Sequence, residues 1–291
     1  MLLFASLIVL FVVSFGLTYL QFTLASPVVG ILNHWARWAL FSVAVAIGAL
    51  HLFASDRPVW LWLVTGFLVW PLLETLYTWL AIKALSHSTW PLFPRFAVNR
   101  EGDAWPNQRR FLRLRDWLRR EKLHHEQSLK ADLIEGLQLR VSAFLNDDAT
   151  IRLQVMFFPQ RSGNLAVCCI LSSLTRSGAR LITDNIYLPY GGFYPANWEI
   201  QRRPWTRSPA ALLRRHRQRL AALAEPLASF TDEPLHDLNS QQHQLECTNT
   251  ELGFLFPRNL HEEFGRLTSE GRYRVWKEAW FLNYLGRPAR Y

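Results

Sequence analysis

Apolar residues run almost unbroken through three N-terminal stretches, then give way after residue 95 to alternation and helical spacing. The stretches near Leu2–Leu20, Trp35–Phe53 and Val59–Ala81 each supply the ~20 residues that a helix needs to cross a bilayer. The first could be mistaken for a cleaved leader. No positive segment precedes it, however, and its exit, LASP, puts proline where cleavage is poor, so it is read as a span.

A Pro/Trp-rich connector (88–106, with Pro91, Pro94 and Pro106) follows. From about Asn107 the period becomes helical, with Phe111, Leu114, Trp117 and Leu118 on one arc. The pattern extends through Leu129 and Leu133, and Gly136 predicts the helix stop. Period-two alternation then marks strands over 137–145 and 151–157, parted by the turn Asn146-Asp147-Asp148. The turn Gln160–Asn164 leads to Leu165–Leu174, apolar on both faces as a central strand would be, and Ser177-Gly178 leads to Arg180–Leu188. Connections this short predict an antiparallel meander of about four or five strands, with a last strand near Trp198–Gln201.

Ser208 and Pro209 open a helix whose Leu212, Leu213, His216, Leu220, Leu223 and Leu227 share an arc. Pro234–Asn249 is polar and fits neither period. A last helix carries Tyr273, Trp276, Trp280 and Tyr284 on one stripe, ends at Gly286-Arg287-Pro288, and is expected to pack on the sheet. The fold class is thus a membrane anchor of three transmembrane helices (1–87), the connector, and a cytosolic α+β domain (107–291) with an antiparallel sheet flanked by helices.

Charge supplies the orientation. The 291 residues hold 32 Lys and Arg against 23 Asp and Glu, yet only Arg37, Arg57, Lys83, Asp56 and Glu74 precede residue 95. Directly after the third span, Arg95 to Lys122 holds nine basic residues against four acids, which assigns that side to the cytoplasm. The N-terminus is then outside, the His34–Arg37 loop inside and the turn Ser55–Pro58 outside, in a multi-pass protein of the inner or plasma membrane. Trp60 and Trp62 at one interface, and Trp35, Trp38 and Trp79 at the other, fit the same depths.

Glu74 stands inside the third span. With the hairpin turning at about Asp56, Arg37 and Glu74 come to nearly the same depth on adjacent helices, which predicts an intramembrane ion pair that fixes their register. A proton or ion path through Glu74 is the sharper alternative, but the spans offer few polar relays.

Chemistry is sparse. His124-His125-Glu126 and His261-Glu262-Glu263 lack a returning ligand at metal spacing, and no nucleotide-binding loop occurs, so no metal and no cofactor are expected. Cys168 and Cys169 point to opposite faces of a strand. His216, central on an apolar helix face, reads as a hydrogen-bonded core histidine; either it or Asp184 is the candidate for catalysis. Tyr190, Gly191, Gly192 and Phe193 form a glycine-aromatic loop that could admit a ligand, or could simply cross a sheet edge. Arg109, Arg110, Arg113, Arg115, Arg119 and Arg120, with Arg214, Arg215, Arg217 and Arg219, make two basic surfaces suited to anionic lipid. The expected role is a non-enzymatic scaffold or ligand-sensing module against the anionic leaflet, with lipids and a possible protein partner. The alternatives are a membrane-bound enzyme acting on a lipid or envelope precursor, and, less favoured, membrane-tethered nucleic-acid binding.

Overall fold

The computed structural model describes residues 2–24, 26–52, 57–100, 105–106, 108–134, 136–159 and 165–289. Two expected turns, at Asp56 and at Gln160–Asn164, lie outside them, as does Asn107.

Three helices, α1 (Leu2–Leu24), α2 (Pro27–Leu52) and α3 (Val59–His87), are long and apolar enough to cross a membrane, and the chain is a membrane protein with a helical anchor and an α+β domain. α2 begins earlier than the hydropathy suggests. Pro27 opens it, and its polar first turns are satisfied by α1: Ser14 Oγ donates to Asn33 Oδ1 (3.1 Å) and Asn33 Nδ2 donates to Thr18 Oγ1 (3.1 Å). α2 and α3 meet at Gly66, where a Cβ would come within 2.8 Å of Ser42 Cα. Pro71 cannot donate to the carbonyl of Phe67, four residues back. Trp38 takes that acceptor instead, its indole N–H reaching Phe67 O at 2.7 Å, so the carbonyl freed by the proline is not left unsatisfied.

The same unit contains residues 188–191 and 260–291. Arg266 closes the C-terminal end of α3, its guanidinium donating to Leu85 O (3.0 Å) and its backbone N–H to Ser86 O (3.0 Å), as a cation at a helix C-terminus should. After the short helix α7 (His261–Phe264), the last helix α8 (Ser269–Leu285) starts at the N-cap Thr268 and ends at left-handed Gly286. Its aromatic stripe, expected to pack on the sheet, meets α2 and α3. α8 runs back along α3, and Tyr284 lies among Trp35, Trp38 and Trp70.

The second unit (88–187 and 192–259) holds an eight-stranded sheet in the order β1-β2-β3-β4-β5-β6-β7, with β8 on β5. The strands are β1 (Ala97–Val98), β2 (Leu123–Ile134), β3 (Leu137–Asn146), β4 (Arg152–Pro159), β5 (Leu165–Thr175), β6 (Arg180–Asp184), β7 (Trp198–Arg202) and β8 (Leu227–Ala228). All pairs are antiparallel except β6 with β7. The helical pattern stops sooner than expected: α4 spans Arg109–Arg120, Lys122 turns left-handed (φ 56°), and the next twelve residues form β2 beside β3. Leu129 and Ala131 fit either period, and ten cross-strand partners decide it. α5 (Pro209–Ala221) likewise ends before Leu223, because Leu227 joins the sheet through β8. The unassigned polar stretch is a helix, α6 (Pro234–Glu251).

The sheet has a core on each face. Phe111 and Leu118 of α4 and Leu212 and Leu213 of α5 pack with Phe144, Leu153, Val155, Phe157 and Leu171 on one side. On the other, Leu238 of α6 joins Leu129, Val141, Met156 and Cys168. A buried charge network accompanies it. Arg152 binds Glu126 (2.9 Å) and Asp237 (2.9 Å), Asp237 also takes Arg180 (2.5 Å), and Arg152 lies 4.3 Å over the Phe230 ring.

Candidate anion-binding surface

Two arginine-rich segments almost a hundred residues apart become one surface because α4 and α5 pack on the same face of the sheet. On α4 the inward arc is Phe111, Leu114, Trp117 and Leu118; on α5 it is Leu212, Leu213, His216 and Leu220. The helical period turns the arginines between those positions outward. The two helices are linked across the surface by Arg217 and Glu121 at 3.0 Å.

The ten arginines divide by what they touch. Arg219 is half-buried and turned inward: it donates to Ile182 O (2.6 Å), Thr183 Oγ1 (2.8 Å) and Glu199 O (2.9 Å), so it belongs to the sheet rather than the surface. Burial holds its pKa below the usual arginine value. Arg110 is exposed but bound to Gln108 (2.9 Å) and Leu165 O (2.8 Å), and Arg215 is bound to Gln201 (3.1 Å). Arg109, Arg113, Arg115, Arg119, Arg120 and Arg214 are exposed, and their side chains have no hydrogen bond or ion pair among the described residues. These six are the cations left for an external anion.

The two catalytic candidates lie on opposite faces of the sheet. Along β6 the side chains alternate, so Thr183 faces α5 and Asp184 faces away. His216 meets Thr183; Asp184 lies on the opposite face with Arg202 at 3.4 Å and accepts from the Ile186 N–H at 3.0 Å. Burial raises the Asp184 pKa, partly offset by Arg202. His216 does touch a serine, with Nε2 3.0 Å from Ser173 Oγ, but the arrangement is not a nucleophile and its base. Ser173 donates its hydroxyl hydrogen to Thr150 O (2.7 Å), so its oxygen accepts from His216 Nε2–H, while Nδ1 accepts from Thr183. The imidazole is fully buried, and burial, with Arg219 adding, lowers its pKa to about 3. It is a neutral core histidine. Cys168 and Cys169 lie in opposite cores, and burial pushes both thiols up to about 12, far from the reactive thiolate.

The glycine-aromatic loop is occupied by its own chain. Gly191 is left-handed (φ +67°), and a Cβ there would lie 2.7 Å from the backbone of Arg274 and Val275; its carbonyl accepts from Arg274 Nε at 2.7 Å. Its missing side chain admits helix α8, not a ligand. Gly192 is buried, Tyr190 is half-buried, and both backbone polar groups of Phe193 bind the Asn249 amide (2.8 and 2.9 Å).

The structure does not bring Arg37 and Glu74 together. Arg37 donates to Thr18 Oγ1 (3.3 Å), and Glu74 instead meets His34, one turn earlier on α2, with Nδ1 at 3.5 Å, and the Tyr284 hydroxyl. The depth argument holds to within a helical turn. It omitted a fourth helix at that depth, and the signal for it was the aromatic stripe ending at Tyr284. No protein-family model, curated protein or solved structure matches the chain.

Proposed function

We propose that the chain is a membrane-held, non-enzymatic scaffold or sensing module whose α4–α5 layer engages the anionic headgroups of the leaflet it faces. In this reading the protein is multi-pass in an inner or plasma membrane, with its N-terminus outside and the sheet unit in the cytoplasm. The observation that carries it is the convergence of α4 and α5 on one face, which leaves six arginines on a single surface without a partner among the described residues. Each Arg near an anionic leaflet contributes about 1 kcal/mol, and a membrane tether removes most of the entropy cost of the encounter. The sealed environments of His216, Asp184, Cys168 and Cys169 favour this over catalysis.

The test uses the full-length chain in nanodiscs of phosphatidylcholine with or without phosphatidylglycerol. Amides of 109–120 and 209–221 should exchange more slowly in the anionic discs, and the difference should disappear as salt rises from about 0.1 M to about 0.5 M. The combined variant Arg113→Gln, Arg115→Gln, Arg119→Gln and Arg214→Gln should show no difference. Equal exchange in both discs sinks the lipid reading. A response to RNA or DNA in its place would move the surface to nucleic acid.

A further inference from the structure

Glu74 lies roughly 22 Å along α3 from Val59, hence inside the ~30 Å hydrocarbon layer and near its far side. α8 descends to this level. Arg266 and Leu267 meet Leu85 and Ser86 at one end of the α3–α8 pair, and Tyr284 meets Glu74 and Trp70 at the other, roughly 18 Å away. A carboxylate at this depth keeps its charge only beside a cation. Arg37 is turned to Thr18, Tyr284 and Trp70 are neutral donors, and His34, with Nδ1 3.5 Å from the other carboxylate oxygen, is a cation only when protonated.

A shallow recess opens on Glu74 between the two helices. Thr75, Thr78 and Asn283 line it with oxygen acceptors, and Trp276 and Trp280 line it with indoles. It has room for a single water-sized group. A primary ammonium has that size. It would bring three donors for the carboxylate, a threonine hydroxyl and the asparagine carbonyl, and a positive charge that does not depend on His34 being protonated. The indoles add cation–π attraction. A trimethylammonium group is too large and has no N–H to donate.

We infer that the Glu74 recess binds a primary ammonium, presented by the headgroup of an ethanolamine phospholipid in the adjoining leaflet. Thr78 lies one turn above Glu74 toward the end of α3, so the polar lining leads from the headgroup level down to the carboxylate.

Native mass spectrometry of the full-length chain, released from nanodiscs with equal phosphatidylethanolamine, phosphatidylcholine and phosphatidylglycerol, tests this. One ethanolamine lipid per chain should be retained, enriched several-fold over choline lipid. Glu74→Gln should abolish the enrichment. Thr78→Val, which leaves the Glu74–Tyr284 contact intact, should reduce it several-fold and serves as the check that loss is not unfolding. Equal retention of ethanolamine and choline lipids, or enrichment that survives both variants, overturns the proposal. Free ethanolamine, titrated into discs without ethanolamine lipid, separates the sources. Protection of α8 amides by the free amine, with no lipid enrichment, would assign the site to a soluble amine and overturn the lipid source.

Discussion

Tyr284 donates its hydroxyl hydrogen to Glu74 across 210 residues of sequence, while its oxygen accepts from the Trp70 indole at 3.0 Å. Trp35 adds a bond to the Tyr284 carbonyl at 3.1 Å, so the end of α8 is held by side chains of both α2 and α3. This contact, and not an arginine, is what a carboxylate in the third span is built around.

Removing the phenolic oxygen should therefore loosen α8. Tyr284→Phe leaves the ring packing in place but strips Glu74 of a donor and Trp70 of an acceptor, a loss of about 1–3 kcal/mol in a poorly hydrated site. Exchange of the 269–285 amides should quicken correspondingly. Glu74→Gln combined with Tyr284→Phe should cost less than the sum of the two, whereas Arg37→Gln with Glu74→Gln should add. The opposite pattern would restore the arginine as the partner.

Two glycines with similar backbone angles should behave differently. A Cβ added at Gly191 (φ +67°) would lie 2.7 Å from the backbone of α8, whereas one at Gly178 (φ +86°) would have nothing within 4 Å. Gly178→Ala should cost about 1 kcal/mol of conformational strain alone. Gly191→Ala must in addition displace a helix and should cost about 3 kcal/mol or more, as overpacking against a backbone that cannot yield. Thermal unfolding of the two variants in the same detergent orders them.

Much of this architecture is legible in the chain because burial writes itself as periodicity. The three spans, the strands after residue 137 and the stop at Gly286 follow from apolar spacing and turn residues. What escaped was set by partners distant in sequence. Leu129 and Ala131 suit a helix as well as a strand until β3 is placed beside them. Arg219 reads as one more surface arginine until β6 offers it a carbonyl and a hydroxyl. The stripe on α8 gives a buried face but not the identity of the surface it is buried against. The candidate sites fared likewise: which face of β6 carries Asp184 depends on where α5 comes to rest.

The buried network under α6 should be unforgiving of single changes. Asp237 is the common acceptor of Arg152 (2.9 Å) and Arg180 (2.5 Å), and Arg152 has no exposed surface. Asp237→Ala leaves two guanidiniums without their shared counter-charge and should cost about 3–5 kcal/mol. Replacing Arg152 by Met in that background should recover part of the loss, because one uncompensated charge goes with it. A further loss in the double variant would show that Arg152 is held by Glu126 and the Asp232 carbonyl alone.

His216 should make stability depend on pH in a defined window. Its imidazole is buried neutral with a pKa of about 3, against the ordinary value of 6.5 in the unfolded chain. The unfolded state therefore binds the extra proton first. The contribution is complete above pH 6.5 and is lost as pH falls toward 3, at about 1.4 kcal/mol per pH interval once below 6.5. Between pH 6.5 and 5 the loss is about 2 kcal/mol. His216→Gln lowers stability at pH 7 by removing a buried hydrogen-bonded ring, but should flatten this part of the profile, because Gln does not titrate. The quantity to read is the difference between wild-type and variant unfolding temperatures at pH 7, 6 and 5, in which other titrating groups cancel. It should shrink steadily as the solution is acidified. A difference constant across that range would mean that His216 takes a proton in the folded state, and would reopen the catalytic reading that its burial closes.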